Sequence, residues 1–281
     1  MASTEDLPLA VLTERDLAGC MALSAEAGWN QTLDDWALFM RHGTVFGLTG
    51  DDGRPVATGA ILPYAGEFAW VSMVLVTAAR RRARIGTGIL ETCCAELKRR
   101  ELVAVLDATP AGERVYRPLG FVPQFALTRW QGQGGGGAAP PAGVRPMRAD
   151  DLTAVIEIDA RAFGAPRDFL LRSFFARAPQ LAFITADGAS FALARPGRIA
   201  TQIGPIIAAD EDAAMALLAA ALDAVIGPVF LDAADRWLQL APLLKQRCFT
   251  VQRPFLRMAL GRSGPFGDVQ RTFVVAGPEF G

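Results

Sequence analysis

Apolar side chains recur at three- and four-residue intervals over residues 17–26 and 33–41, the spacing of helices with one covered face. Residues 45–48, 55–62 and 68–76 are short runs rich in β-branched and aromatic side chains, which predicts three strands. Asp51-Asp52-Gly53 between the first two predicts a hairpin turn, because glycine accepts the positive φ such turns require. Helical spacing returns over 85–100, where Ile85, Ile89, Leu90, Cys93, Cys94 and Leu97 fall on one side. Residues 102–106 and 125–130 read as two further strands. Strands and helices alternating in this way predict an α/β fold built on a mixed (α+β) sheet.

Residues 131–143, Gln-Gly-Gln-Gly-Gly-Gly-Gly-Ala-Ala-Pro-Pro-Ala-Gly, break the pattern. Consecutive glycines lose too much conformational entropy to hold a helix or strand, and the prolines stiffen the exit. A linker is expected here, dividing a first domain, 1–130, from a second, 144–281. The two halves echo each other. Each opens with a short strand and an Asp-Leu helix start, at Asp16-Leu17 and Asp151-Leu152, and each carries a late Gly-Phe or Cys-Phe, at Gly120-Phe121 and Cys248-Phe249. A duplicated fold is expected. In the second half, the strand around 202–207 leads through Asp210-Glu211-Asp212 into a buried helix, its acidic start suited to the helix dipole. Arg253-Pro-Phe-Leu-Arg-Met258 alternates as a strand with one covered face. The tail 276–281 is expected to fold back toward the active site.

Composition narrows the function classes. Hydrophobic residues make up 51% of the 281 and charged residues 20%, which suits two domains with cores of their own. Lys+Arg number 28 against Asp+Glu 29, a net charge of −1, so no global basic field exists to hold nucleic acid or anionic lipid. The acidic amino terminus does not read as a leader, and the apolar stretch from 213 toward 231 is broken by Asp223 and Gly227-Pro228. No membrane partner and a cytoplasmic location are expected. Cys20, Cys93, Cys94 and Cys248 lack metal-ligand spacing and are expected as small buried hydrophobes in a reducing compartment. His42 is the only histidine, which leaves neither a zinc site nor a Ser-His-Asp triad in prospect, and no metal is expected.

The charge that stands out is local: Arg80, Arg81, Arg82 and Arg84 sit between the predicted strand ending at Val76 and the helix beginning near Ile85-Gly86. A helix start offers unpaired N–H groups and the positive end of the dipole. Gly86 and Gly88 admit a phosphate close to the backbone, and arginines add charge-assisted hydrogen bonds. A pyrophosphate fits this arrangement. The stretch contains neither Gly-x-x-x-x-Gly-Lys-Ser/Thr nor Gly-x-Gly-x-x-Gly. It resembles instead the signature loop of the GNAT superfamily of acetyl-CoA-dependent N-acetyltransferases, Arg/Gln-x-x-Gly-x-Gly/Ala after a strand ending in Val. Here the loop reads Arg81-Arg82-Ala83-Arg84-Ile85-Gly86, continuing through Thr87-Gly88, with Arg84 where the family usually has its first glycine.

A second block, Ala111-Gly-Glu-Arg-Val-Tyr-Arg-Pro-Leu-Gly-Phe121, resembles the family's tyrosine four residues before Gly-Phe. The resemblance implies that Tyr116 protonates the departing thiolate, a task for which its ordinary pKa of about 10 keeps it protonated near neutrality. It further implies that main-chain groups of Val74, Leu75 and Val76 hold the pantetheine arm, and that Arg81, Arg82, Ala83, Arg84, Ile85, Gly86, Thr87 and Gly88 cradle the phosphates of acetyl-CoA. The stretch 28–36 and Leu106-Asp-Ala-Thr-Pro-Ala-Gly112 look like the subgroup with a second GNAT-like half. Glu67, Asp107 and Glu26 stand open as the general base, and Trp29 and Asn30 as lining of the acceptor pocket. The carboxylate-rich loop of the second half would repel pyrophosphate, which suggests a degenerate copy with an acceptor-site or structural role. The function expected is acetyl transfer from acetyl-CoA to a primary amine of a small-molecule acceptor by direct attack. A non-catalytic acyl-CoA sensor is the alternative, and the oligomeric state stays open, with a homodimer as one option.

Overall fold

The structure, a computed structural model, describes residues 9–81, 84–135, 137 and 139–281. Arg82 and Ala83 of the expected phosphate loop lie outside the described residues. The chain forms two compact units: residues through Leu106 together with Phe280, and Asp107–Glu279 together with Gly281. The division falls at Leu106, upstream of the glycine-rich stretch at 131–143. Residues 131–133 finish a long strand, paired Gln131↔Phe230, Gly132↔Val229 and Gln133↔Pro228, so the polypeptide is already committed to the second unit before the run of four consecutive glycines begins.

The first unit runs β1 (Leu9–Leu12), α1 (Leu17–Glu26), α2 (Leu33–His42), β2 (Thr44–Thr49), β3 (Pro55–Tyr64), β4 (Phe68–Val76), α3 (Ile85–Arg99) and β5 (Val103–Ala108), whose last two residues count with the second unit. Strands β1 to β4 are antiparallel neighbours in sequence order, and β5 joins β4 in parallel. The expected elements are all present, with strand ends extended by a few residues. Thr32 caps α2 by accepting from the Asp35 N–H at 3.3 Å, and the Asp35 carboxylate accepts from the Thr32 N–H at 2.9 Å, a reciprocal arrangement that fixes the helix start. Helix α3 presses on β3 at Gly59, where a Cβ would stand 2.3 Å from Ile89 Cγ2. Only a glycine permits that approach.

The second unit runs α4 (Pro110–Tyr116), β6 (Phe121–Gln133), β7 (Val144–Pro146), α5 (Leu152–Phe163), α6 (Asp168–Arg177), β8 (Phe183–Thr185), β9 (Phe191–Arg195), β10 (Thr201–Ile207), α7 (Glu211–Ala224), β11 (Pro228–Ala234), α8 (Leu240–Gln246), β12 (Thr250–Leu260) and β13 (Thr272–Val274). Its strands lie in the order β12-β6-β11-β13-β10-β9-β8-β7. One core gathers α7 side chains Leu217, Leu218, Ala221 and Leu222 over Ile203, Ile206, Leu231 and Phe273.

The cysteine expectation is corrected. Cys20 and Cys93 are buried, and burial pushes both thiols up to about 12, but Cys94 is half-buried and Cys248 is exposed. Cys248 stands outside because it occupies a left-handed turn, φ 61°, ahead of Phe249. Gly120 holds the same conformation, φ 93°, ahead of Phe121. The Gly-Phe and Cys-Phe echo therefore records one repeated turn. Among the described residues no helix is long and apolar enough to cross a membrane, and no group of three or more His, Cys, Asp or Glu side chains could hold a metal ion.

Candidate functional site

The first unit builds its site at the carboxyl end of β4. Thr58 pairs with Leu75 and Ala60 with Ser72, so Met73 and Val74 together oppose Gly59 and form a β-bulge. Met73 takes φ 54°, and its carbonyl accepts a hydrogen bond from the buried Thr58 hydroxyl at 2.9 Å. The parallel pairing with β5 covers Phe68↔Val103, Ala69↔Ala104 and Trp70↔Val105 and, among the described residues, stops there while β4 runs on to Val76. Main-chain groups of Val74, Leu75 and Val76 on the side away from β3 thus have no parallel strand partner.

The chain then enters a 3-10 turn at Ala78–Arg80 and reaches α3. Glu26, at the end of α1, ties this turn down. Its carboxylate accepts from the Ala78 N–H at 2.6 Å and from the Thr77 hydroxyl at 3.0 Å, and the Ala78 bond is the chief cause that holds it below the ordinary carboxylate range. A carboxylate so engaged is a poor proton acceptor. Glu26 is a clamp on the loop. Arg81 is exposed and folds back so that its Nε donates to the Val76 carbonyl at 3.2 Å. Arg84, at the N-cap of α3, adopts φ 58°, the left-handed region that favours glycine. Its position in the loop is therefore one that demands a glycine-like backbone. Ile85 is buried under the helix, Gly86 and Thr87 are half-buried, and a Cβ on exposed Gly88 would meet nothing within 4 Å. The first turn of α3 leaves its N–H groups and an open surface for an anion.

The residues expected to serve the acceptor do not converge to the same degree. Trp29 and Asn30 follow Gly28, which ends α1 at φ 69°, with Trp29 half-buried and Asn30 buried. Glu67 is exposed in the turn between β3 and β4. It sits about 20 Å along the strand from the Met73 bulge at the usual rise per residue, so the two ends of β4 hold different groups. Sequence reasoning passed over two nearby polar atoms. Gln31 Oε1 and Ser72 Oγ are buried with no hydrogen-bond partner among the described residues. Buried polar atoms left so cost stability, which marks positions where an incoming ligand can supply the missing bond. Gln31 adjoins the Trp29–Asn30 pair, but it stands among other polar residues, Asn30 and Thr32, so nothing in the local sequence set it apart.

In the second unit, the side chain of Asp107 is fully buried and held by Arg257 through two bonds, 2.8 and 2.9 Å. Burial pushes its carboxyl above the ordinary range, and Arg257 opposes that rise. Tyr116 closes α4 half-buried, its ring 5.8 Å from that of Phe121. A Cβ on Gly112 would stand 2.9 Å from Tyr116 Cε2 and 3.3 Å from its hydroxyl, so glycine lets the phenol lie against its own helix.

The second unit repeats the bulge but fills the space. Strand β10 pairs β11 in parallel at Thr201↔Val229, Gln202↔Phe230 and Ile203↔Leu231, as β4 pairs β5, and its register shifts between Ile203 and Ile206. There β13 inserts, pairing Ile206↔Val274 with β10 and Ala233↔Val274 with β11. A Cβ on Gly204 would lie 2.0 Å from the Val275 carbonyl. The following helix α7 starts on Asp210, which caps the Ala213 N–H at 2.9 Å, with Glu211 and Asp212 in the first turn. Both chain and charge thus occupy the place that the first unit leaves open.

The first unit thus combines a mixed sheet, a bulged strand, a parallel neighbour that parts from it and a glycine-bearing helix start. Comparison with known proteins gives the family. The acetyltransferase (GNAT) family model matches residues 12–121 and the acetyltransferase (GNAT) domain model residues 155–273. The chain belongs to the GNAT family and carries two GNAT domains in tandem. It is similar to the holothin acyltransferase of Pseudoalteromonas sp. (strain SANK 73390), 27% identical over 163 residues, 57% of this chain and 54% of that protein. The match thus spans about half the length of that relative. Among solved structures, a putative acetyltransferase from Pyrococcus horikoshii shares the fold at a TM-score of 0.80, with 20% identity, 100% of this chain and 98% of that one. A tandem GNAT protein from the clavulanic acid biosynthesis pathway does so at a TM-score of 0.63, with 15% identity, 90% of this chain and 98% of that one.

Proposed function

We propose that the chain is an acetyl-CoA-dependent N-acetyltransferase acting on a primary amine of a small-molecule acceptor, with one donor site, in the first GNAT domain, residues 12–121. The observation that carries this reading is the bulged end of β4, joined through the left-handed Arg84 to an open helix start. Main-chain groups of Val74–Val76 orient the donor's pantetheine arm, and the first turn of α3 with Arg81 and Arg84 takes its phosphates. The acceptor nitrogen adds to the thioester carbonyl carbon, the carbon–sulfur bond breaks, and the thiolate takes its proton from the Tyr116 hydroxyl. The nitrogen's own proton leaves through solvent, because Glu26 and Asp107 are each spent on other bonds. The second domain serves as a degenerate copy, which the inserted β13 and the acidic start of α7 support.

The test is calorimetric titration of acetyl-CoA into the wild type and an Arg81→Ala/Arg82→Ala variant, followed by turnover on an amine library. One equivalent per chain is expected, weakened at least tenfold in the variant, since charge-assisted bonds are worth roughly 1.5–3 kcal/mol. Tyr116→Phe is expected to bind the donor normally and to lose about a hundredfold in kcat. Absence of donor binding would sink the reading. Binding without turnover on any amine would favour a sensor.

A further inference from the structure

Helix α4 carries a glycine where its backbone has no use for one. Gly112 is the third residue of Pro110–Tyr116 and does not take the positive φ of turn glycines such as Gly120. Alanine would fit that backbone and favour the helix, since glycine is the poorer helix former. What glycine supplies here is space. Tyr116 uses it. Long side chains on a helix lean back over the preceding turn, so the phenol of residue 116 comes to lie on residue 112. A Cβ on Gly112 would meet Tyr116 Cε2 at 2.9 Å, its Cζ at 3.2 Å and its hydroxyl oxygen at 3.3 Å, and these three are the nearest atoms. The tilted ring of buried Phe121, 5.8 Å away, bounds the phenol as well.

The helix around this contact is fixed. The Gly112 N–H donates to the Thr109 hydroxyl at 3.2 Å and the Glu113 N–H to the Thr109 carbonyl at 2.8 Å, which caps the start. Arg117 Nε donates to the Glu113 carboxylate at 2.7 Å, and the Gly120 N–H to the Arg117 carbonyl at 3.0 Å, which closes the end. A methyl group added at 112 would therefore be absorbed by the outer end of the phenol, and the backbone would stay. Opening the Cε2 contact to ordinary van der Waals separation moves that end by about half an ångström or more. We propose that Gly112 is a positioning residue for the Tyr116 hydroxyl, its missing side chain setting where the proton donor stands. The proposal rests on the reading of Tyr116 as the group that protonates the departing thiolate. Proton transfer requires donor and acceptor atoms about 2.6–3.2 Å apart, a window too narrow for such a displacement. A poorer helix former kept beside a reacting group is a local conflict of the kind that function explains.

Two readouts on the full chain test this, and the first needs no acceptor. The chain has two tyrosines, Tyr64 and Tyr116, so ring-labelled tyrosine gives two sets of NMR signals, which Tyr116→Phe assigns. Gly112→Ala is expected to shift the Tyr116 signals, to leave those of Tyr64 in place, and to melt no lower than wild type. The second readout is coenzyme A release from acetyl-CoA with the amine of highest turnover in the library. Gly112→Ala is expected to lower kcat at least about tenfold with KM for acetyl-CoA unchanged. In the Tyr116→Phe background the same substitution is expected to cost nothing further, because the hydroxyl it would misplace is gone. Unshifted Tyr116 signals, an undiminished kcat, or an equal loss in the Tyr116→Phe background would each overturn the proposal. A lower melting temperature with a raised KM would also overturn it, by placing the damage in the helix as a whole. Full turnover in Tyr116→Phe, or none in wild type, would overturn it by another route, through the reading on which it rests.

Discussion

Arg84 is a residue whose backbone and side chain want different things. A non-glycine residue in the left-handed region costs roughly 1–2 kcal/mol, and glycine there costs roughly 0.5–1 kcal/mol more than other residues in unfolded-chain entropy. Arg84→Gly is therefore expected to raise stability by up to about 1 kcal/mol, read as a higher urea midpoint at unchanged m. Arg84→Ala keeps its Cβ and is expected to show no such gain. Were the glycine variant no more stable than the alanine variant, φ 58° would not be costing the fold anything. Asp107 raises a different question, since sequence reasoning left it open as a general base. With its carboxylate buried and doubly bonded to Arg257, Asp107→Asn breaks a buried ion pair and leaves a guanidinium without its charge partner. The expected cost is about 3–5 kcal/mol in urea unfolding. A variant that folds like wild type yet turns over more slowly would return Asp107 to a catalytic role.

At the level of elements, helix α3 and strand β3 are held at one contact distance by Gly59. Its replacement by valine forces side-chain atoms into Ile89 and Cys93, an overpacking expected to cost about 1–3 kcal/mol. Because α3 carries the helix start that receives the donor, Gly59→Val is expected to weaken acetyl-CoA binding in calorimetry even in the fraction that remains folded. Undiminished affinity would mean that the helix start is placed by the loop alone. Helix and strand identities were legible in the sequence here, from Leu17–Glu26 through Ile85–Arg99. What was not legible was the bulge at Met73. A methionine carries no turn signal, and the extra residue shows only when β3 and β4 are laid side by side.

For the molecule as a whole, the carboxyl-terminal segment acts far beyond its length. Glu279 pairs with Arg195, the Gly281 carbonyl accepts from Arg167, and Arg167 also holds Asp159 at 2.7 and 2.9 Å. Phe280 counts with the first unit, its ring 4.9 Å from Phe39 in a stacked pair and its carbonyl 2.7 Å from the Tyr64 hydroxyl. Deleting residues 277–281 would strip partners from two arginines that are each 2% exposed. The expected loss is at least about 3 kcal/mol in denaturant unfolding, so activity should be compared per folded molecule. A truncated chain as stable as the full one would show these bonds to be dispensable.

Local signals in the sequence carried the element pattern and the family resemblance. Periodicity, the arginine-rich loop before a glycine-bearing helix, and the tyrosine ahead of Gly120-Phe121 depend on neighbours within a few positions, and such neighbours lie together in any fold of the chain. The echo of the halves was visible for the same reason. Pairings across long stretches were not. That β13 would enter the second parting of strands, that Arg253 would face Arg129, and that Glu279 would meet Arg195 are matters of register between segments more than 80 residues apart in the last case and set by the sheet order. A hydrophobic pattern fixes which side of a strand is covered, but it carries no record of which strand comes to lie beside it.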